Sequence, residues 1–102
     1  MANTFKNYTY QNVGTSSQLI YTVPAATTSV MIGMNIANTR TYMIKVDVVA
    51  GGVYIVKDAP IPAGAALSVL DGKIILETGD TVAVSSDSLA SADVIVSVLE
   101  QS

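Results

Sequence analysis

Alternation of apolar and polar residues predicts β-strands along most of the chain. In the middle of the sequence Ile44, Val46 and Val48 alternate with Lys45 and Asp47. A period of two places successive side chains on opposite faces of a strand, so this pattern is typical of a half-buried strand. No stretch of ten or more residues repeats apolar side chains at helical spacing without an intervening Gly, Pro or β-branched run, and we expect no helix.

We predict about eight strands, separated by residues that favour turns. The predicted segments are the N-terminal arm or edge strand, Phe5–Asn12, followed by eight strands: Gln18–Val23, Val30–Ile36, Tyr42–Val49, Val53–Lys57, Leu67–Leu70, Lys73–Glu77, Thr81–Ser85 and Val94–Leu99. Strands at this spacing indicate an all-β fold, a single antiparallel β-sandwich of the jelly-roll or Ig-like type. Residues 1–12 are expected to form an N-terminal arm or edge strand, and residues 13–102 the sandwich domain.

The turns carry their own signals. Gly51-Gly52 predicts a turn after the strand that ends at Val49, and Thr78-Gly79-Asp80 predicts another. Asp71-Gly72 is a strong hairpin signal, so the segment before it should pair with the segment after it. Val23-Pro24-Ala25 and Ile61-Pro62-Ala63-Gly64 echo each other and predict equivalent corners where strands leave one sheet.

Composition narrows the possible functions. Half of the 102 residues are hydrophobic and 13% are charged, against roughly 25% charged residues in an average domain. The surface is therefore unusually neutral or is covered by another molecule. The absence of His and Cys excludes imidazole and thiol chemistry. A net charge of −3 with scattered basic residues argues against nucleic acid. No apolar run approaches the ~20 residues of a membrane-spanning helix, and the opening residues lack the pattern of a secretion signal.

The remaining polar clusters favour structural roles. Asp71, Glu77 and Asp80 could bind Ca²⁺ or act as an acid–base pair, but their positions around turns favour backbone hydrogen bonds instead. Serines accompany Asp87 and Asp93 in two short runs, without a histidine or a nucleophile motif beside them. We therefore predict no enzymatic activity, no cofactor and no metal site.

Aromatic and methionine side chains supply candidate contact residues. Five of the six aromatic residues are tyrosines, which suit a sheet edge, a protein interface or, beside asparagine, a sugar-binding site. If Met34 points inward, Met31 lies on the outer face of the same strand, and Met43 takes the outer face of the strand that follows. Apolar residues on an outer face favour an intersubunit contact, although the N-terminal segment could also cover this sheet.

The second half of the chain carries a specific resemblance. Residues 54–80 read YIVKDAPIPAGAALSVLDGKIILETGD, and residues 91–100 read SADVIVSVLE. Earlier, Thr22-Val23-Pro24-Ala25 is followed by Ser29–Gly33. From about Gln18 onward this pattern resembles small virion structural proteins of tailed bacteriophages. The shared motifs are turn and strand signatures, so they concern architecture more than activity.

The resemblance implies a β-sandwich that is built into a phage particle in many copies. The expected function is that of a virion protein, a capsid decoration or cement protein that binds the major capsid protein. The alternatives are a tail, neck or baseplate component and a carbohydrate-binding module for host attachment. We expect a homo-oligomer, with an N-terminal segment that adds a strand to a neighbouring sheet. The expected contact residues are Phe5, Tyr8, Tyr10, Met31 and Met43.

Overall fold

The computed structural model describes residues 3–69 and 73–102, which form nine strands and no helix. The strands are β1 (Asn3–Val13), β2 (Gln18–Thr22), β3 (Thr28–Asn38), β4 (Ile44–Ala50), β5 (Val53–Ile61), β6 (Ala66–Ser68), β7 (Ile74–Leu76), β8 (Thr81–Ser86) and β9 (Ala92–Gln101). The predicted all-β fold is confirmed.

Two antiparallel sheets pack face to face. Sheet A has the order β1-β9-β3-β6, with β7 also paired to β3, and sheet B has the order β2-β8-β4-β5. Within the described residues, every connection crosses between the sheets except β4–β5 and β6–β7. This is the strand order of a jelly roll rather than of an Ig-like sandwich.

The N-terminal segment is an edge strand of sheet A. β1 pairs with β9 without interruption from Asn3, opposite Gln101, to Tyr10, opposite Val94. A register shift follows between Tyr10 and Val13, where Asn12 has a positive φ of 60°. Of the two possibilities for residues 1–12, the described part therefore forms an edge strand on the protein's own sheet.

The predicted turns and corners explain the path of the chain. Gly51 and Gly52 have φ values of 60° and 82° and join β4 to β5, as the two positive φ angles of a tight hairpin turn require. The two Pro-containing corners, 23–25 and 61–64, each lead from sheet B to sheet A. Both predictions are confirmed, because these turns depend on local backbone preferences.

The predicted hairpin between the sixth and seventh segments is wrong. β6 pairs with the end of β3 (Asn35–Ala37), and β7 pairs with its beginning (Ser29–Met31), both antiparallel to β3. The two short strands thus run in the same direction as one interrupted edge strand. The Asp71-Gly72 turn lies outside the described residues. β3 is long enough, at 11 residues, to offer hydrogen bonds to both segments.

Two bulges invert the expected inward and outward faces. The register of β3 against β9 shifts between Met31 and Gly33, so Ile32 is an extra residue and is 40% exposed. Met31 and Met34 are both buried in the core as a result. A similar shift in β2 lies between Leu19 and Tyr21, and Leu19 is 57% exposed whereas Tyr21 is 3% exposed. An extra residue reverses the alternation beyond it, and the prediction that Met31 points outward is therefore wrong.

Candidate interaction surface

An apolar row crosses the outer face of sheet A. Phe5 on β1 stands opposite Leu99 on β9, Leu99 opposite Val30 on β3, and Val30 opposite Ile75 on β7. We call these four residues outer row A. Phe5 is 73% exposed and Ile75 is 69% exposed, while the two central residues are half-buried. Directly opposed side chains on one face of a sheet touch each other, so the row forms a continuous apolar surface.

The positions beside outer row A are uncharged on β1, β9 and β3, whereas the exposed Lys73 and Glu77 flank Ile75. Asn7, Ser97 and Gly33 are aligned on one side of it, and Ser97 donates a hydrogen bond to the Asn7 side-chain oxygen at 2.7 Å. Thr28 and Gln101 are aligned on the other side. Ile32 and Ile95, each 40% exposed, add apolar area nearby. A contiguous apolar patch of this kind on a small domain marks a contact site.

Sheet B carries a second row on its own outer face. Leu19, Ala83, Val49 and Tyr54 are aligned across β2, β8, β4 and β5, and we call them outer row B. Leu19 is 57% and Tyr54 59% exposed. The ammonium group of Lys57 lies 4.9 Å from the centre of the Tyr54 ring and 3.5 Å from Asp47 Oδ2. Outer row B is therefore bordered by an ion pair.

The buried carboxylate of Glu100 links β1 and β9 of sheet A to β2 of sheet B. Glu100 on β9 is 7% exposed and accepts a hydrogen bond from the Tyr21 hydroxyl of β2 at 2.6 Å. The Tyr8 hydroxyl of β1 donates to the same oxygen at 3.2 Å, and Lys6 Nζ lies 3.6 Å from the other oxygen. The Tyr8 and Tyr21 ring centres are 4.5 Å apart. Each charged or polar group in this cluster therefore has a partner.

The electrostatics of the cluster follow from these contacts. The hydrogen bond from Tyr21 is the main cause that lowers the pKa of Glu100, and burial of the carboxylate opposes it. Burial first, and then the hydrogen bond to Glu100, raises the pKa of Tyr21 to about 12. The pKa of Tyr8 is raised for the same reasons. At neutral pH the cluster therefore holds one carboxylate and two neutral phenols.

The five expected contact residues lie in different environments. Phe5 is exposed within outer row A, Tyr10 is 36% exposed, and Met43 is 55% exposed in the segment before β4. Tyr8 is half-buried in the Glu100 cluster. Met31 is 0% exposed, so it is a core residue. Met31 and Met43 therefore do not share an outer face, because β3 lies in sheet A and Met43 precedes β4 of sheet B.

Tyr10 borders a shallow groove on sheet A. The groove has a volume of about 340 Å³ and combines apolar side chains with amide and carboxylate groups. Its lining includes Tyr10, Gln11, Asn35, Asp93 and Ile95. Such a mixture can accept a polar ring against the tyrosine.

The acidic and serine clusters have structural partners. Asp80 Oδ2 accepts a hydrogen bond from the Glu77 backbone amide at 3.0 Å and thereby closes the turn. The Ser86 and Ser91 hydroxyls are 2.6 Å apart, and Ser91 donates to the Ser88 carbonyl at 2.8 Å. In residues 3–69 and 73–102 no three acidic side chains are grouped as a metal site would require. None of the described segments is a helix long and apolar enough to cross a membrane.

Comparison with known proteins adds evidence on the fold. No protein-family model and no curated protein matches the sequence. Among solved structures, the chain is similar to one from the disulfide-linked pili that form Bacillus endospore appendages. The TM-score is 0.57 at 12% sequence identity, over 99% of this chain and 87% of that chain. At this identity the similarity concerns the fold alone.

Proposed function

We propose that this protein is a non-enzymatic structural protein of a bacteriophage virion, with the specific role of a capsid decoration or cement protein that binds the major capsid protein. The observation that supports the proposal is outer row A, an apolar surface that crosses β1, β9, β3 and β7 of sheet A. Binding of another molecule over an apolar surface of this kind is favourable, because it removes that surface from water. The sequence resemblance to phage virion proteins is the reason for proposing a phage particle as the assembly.

A contact of ordinary size would cover only a small part of this protein. A stable protein interface covers about 800 Å² on each partner, which is about one-seventh of the 5481 Å² exposed by this chain. Complete burial of an exposed Phe or Ile side chain contributes about 1.5–3 kcal/mol. Phe5 and Ile75, at the two ends of outer row A, would supply most of this gain. With many copies bound to one particle, the total stabilisation of the particle would increase with the number of copies.

One solved structure with a similar fold also comes from an assembly of protein chains. That chain belongs to pili, which are repetitive assemblies. The present sequence has no cysteine, so it offers no disulfide to link its copies, and the contacts proposed for it are non-covalent. Apolar burial and strand addition are the contacts that its surface offers.

Binding to particles tests the proposal directly. Particles that lack the protein are mixed with purified wild type and with the variant Ile75→Asp, and bound protein is measured after sedimentation. We expect the variant to bind at least tenfold more weakly. Leu89→Asp is the matched control, because Leu89 is also 69% exposed but lies outside outer row A. Equal binding by all three proteins would contradict the proposal.

Heat distinguishes the possible places in the virion. If the protein is a cement, depleted heads should release their contents at a lower temperature, and added wild type should restore stability. Depleted particles with stable heads and detached or non-adsorbing tails would instead identify a tail, neck or baseplate component.

The groove beside Tyr10 favours one second candidate function, a carbohydrate-binding module for host attachment. The Tyr10 ring could stack on the apolar face of a sugar, and the amide and carboxylate groups of the groove could form hydrogen bonds with its hydroxyls. This candidate predicts that the isolated protein binds a glycan array and that Tyr10→Ala abolishes binding. If the wild-type protein gives no signal on the glycan array, the carbohydrate-binding function is excluded.

A further inference from the structure

Among the strand edges formed by residues 3–69 and 73–102, β1 is the one that is both long and regular. Its pairing with β9 is continuous from Asn3 to Tyr10. Every residue from Asn3 to Gln11 is exposed except Tyr8, which is half-buried. Within the described residues no strand pairs with the other side of β1. The backbone groups along that side are thus available to another strand.

The three remaining edges are interrupted. On sheet A, β6 and β7 contribute three residues each. On sheet B, β2 has five residues and a register shift. β5 has two register shifts against β4, a positive φ of 52° at Asp58, and Pro60, which has no amide hydrogen. Bulges, proline and short length are devices that prevent edge pairing.

We propose that β1 pairs with β1 of a second copy of this chain, antiparallel and about a twofold axis at Asn7. Pairing with a different edge of the second copy would need another long regular edge, and none of the other three qualifies. Identical edges that meet about a twofold axis form a closed dimer. The result is one continuous sheet in which the two β1 strands are neighbours.

The side chains select the register. Opposed residues must point to the same face of the sheet, so the axis passes through a residue position and not between two positions. An axis at Lys6 would place two ammonium groups opposite each other, which destabilises a pair. An axis at Tyr8 would leave only residues 6–10 of the regular stretch paired. An axis at Asn7 pairs residues 4–10 and sets Lys6 opposite the partner's Tyr8.

Asn7 suits the position on the axis. Its side-chain oxygen accepts the hydrogen bond from Ser97, so its amide nitrogen is the group that can donate to the second copy. Phe5 of each copy would stand opposite Thr9 of the other. The dimer would carry two copies of outer row A on one side of a single sheet, which doubles the surface offered to a particle.

The inference adds a self-association step to the proposed function and is tested without particles. Sedimentation velocity of the full chain over a range of concentrations should show a monomer–dimer equilibrium. Asn7→Asp and Asn7→Lys should each raise the dissociation constant several-fold, because like charges then meet on the axis. An equimolar mixture of the two variants should restore the dimer, since opposite charges then meet.

Asn35→Asp is the control for added charge, because Asn35 is exposed on β3, away from the β1 edge. It should dimerise as the wild type does, and thermal melts should show that all variants are folded. A monomeric wild type, a dimer insensitive to both Asn7 variants, or a mixture that stays monomeric would each overturn the pairing. A monomer that still binds particles would contradict the β1 pairing but leave the proposed function intact. A dimer that binds no particles would support the β1 pairing but contradict the proposed function.

Discussion

Replacement of Tyr21 by phenylalanine tests how the edge strand β1 is held. The change removes the hydroxyl that donates to Glu100 at 2.6 Å but keeps the ring that packs on Tyr8. A hydrogen bond to a charged group contributes about 1.5–3 kcal/mol. Glu100 keeps Tyr8 at 3.2 Å and Lys6 at 3.6 Å as partners. We therefore expect the free energy of unfolding to fall by about 2 kcal/mol, and the melting temperature by roughly 10 °C.

Urea unfolding followed by circular dichroism measures this loss. Tyr42→Phe is the matched control, because Tyr42 is 50% exposed and removal of its hydroxyl should change stability by less than about 0.5 kcal/mol. If Tyr21→Phe is as stable as this control, the carboxylate is not held by Tyr21 and the assigned role of the cluster is wrong.

The same variant should change the response to acid. Because the folded-state pKa of Glu100 is lowered, its ionisation contributes stability above the unfolded pKa of about 4.3 and loses it as the pH falls through the lower folded value. The variant lacks the main cause of that lowering. The difference in stability between wild type and variant should therefore narrow in acid, and a difference that is constant from pH 7 to pH 3 would contradict this explanation.

Three further predictions concern the core, the turns and alkaline pH. Met31→Ala should cost about 2–5 kcal/mol in urea unfolding because it opens a cavity, while Met43→Ala should change stability by less than about 0.5 kcal/mol; equal effects would contradict the burial of Met31. Gly52→Ala should cost about 1–2 kcal/mol because φ is 82°, whereas Gly33→Ala, with nothing within 4 Å of the added carbon, should be neutral or stabilising in the same assay. The pKa of Tyr21 is raised to about 12 in the folded state, whereas it is near 10 in the unfolded chain. Between these two pH values the free energy of unfolding should therefore decline by about 1.4 kcal/mol per pH unit. Thermal melts at alkaline pH should show that Tyr21→Phe lacks this contribution to the decline.

Local chemistry explains why the fold class could be predicted from the sequence. The strands alternate, and the turns between them use residues with the required backbone conformations. Gly51 and Gly52 both adopt the positive φ that their turn needs. The two Pro-containing corners predict where the chain changes sheet, and this prediction does not require the identity of the partner strands. Information of this kind lies within a few neighbouring residues.

The bulges could not be predicted in the same way. Nothing within β3 distinguishes Ile32 from its neighbours as the extra residue, because the shift exists only relative to β9. A uniform alternation therefore assigned Met31 to the wrong face. The position of β7 beside β3 has the same origin, since the Asp-Gly signal before it describes a local turn and not the strand to which β7 bonds.

The candidate surface depends even more on long-range pairing. The position of Phe5 in the N-terminal segment predicts that it is a contact residue, whereas the sequence carries no such indication for Val30, Ile75 and Leu99. These four residues come from distant parts of the chain and form a row only through the registers of three strand pairs. A sequence without partner information offers no signal for that alignment.

The two apolar rows differ in what they can gain from a partner, and this difference bears on the low charge of the chain. Lys57 lies over the Tyr54 ring beside outer row B, and an alkyl-ammonium side chain covers apolar surface while it keeps its charge in water. A partner on outer row B would have to displace or desolvate the Lys57–Asp47 pair. Outer row A has uncharged positions on either side along β1, β9 and β3, and its charged neighbours, Lys73 and Glu77, lie only at the β7 end beside Ile75. A partner on the β1–β9–β3 part of the row therefore covers apolar area at little electrostatic cost. The shortage of charge thus matters most on sheet A, which is also the sheet that ends in the free β1 edge.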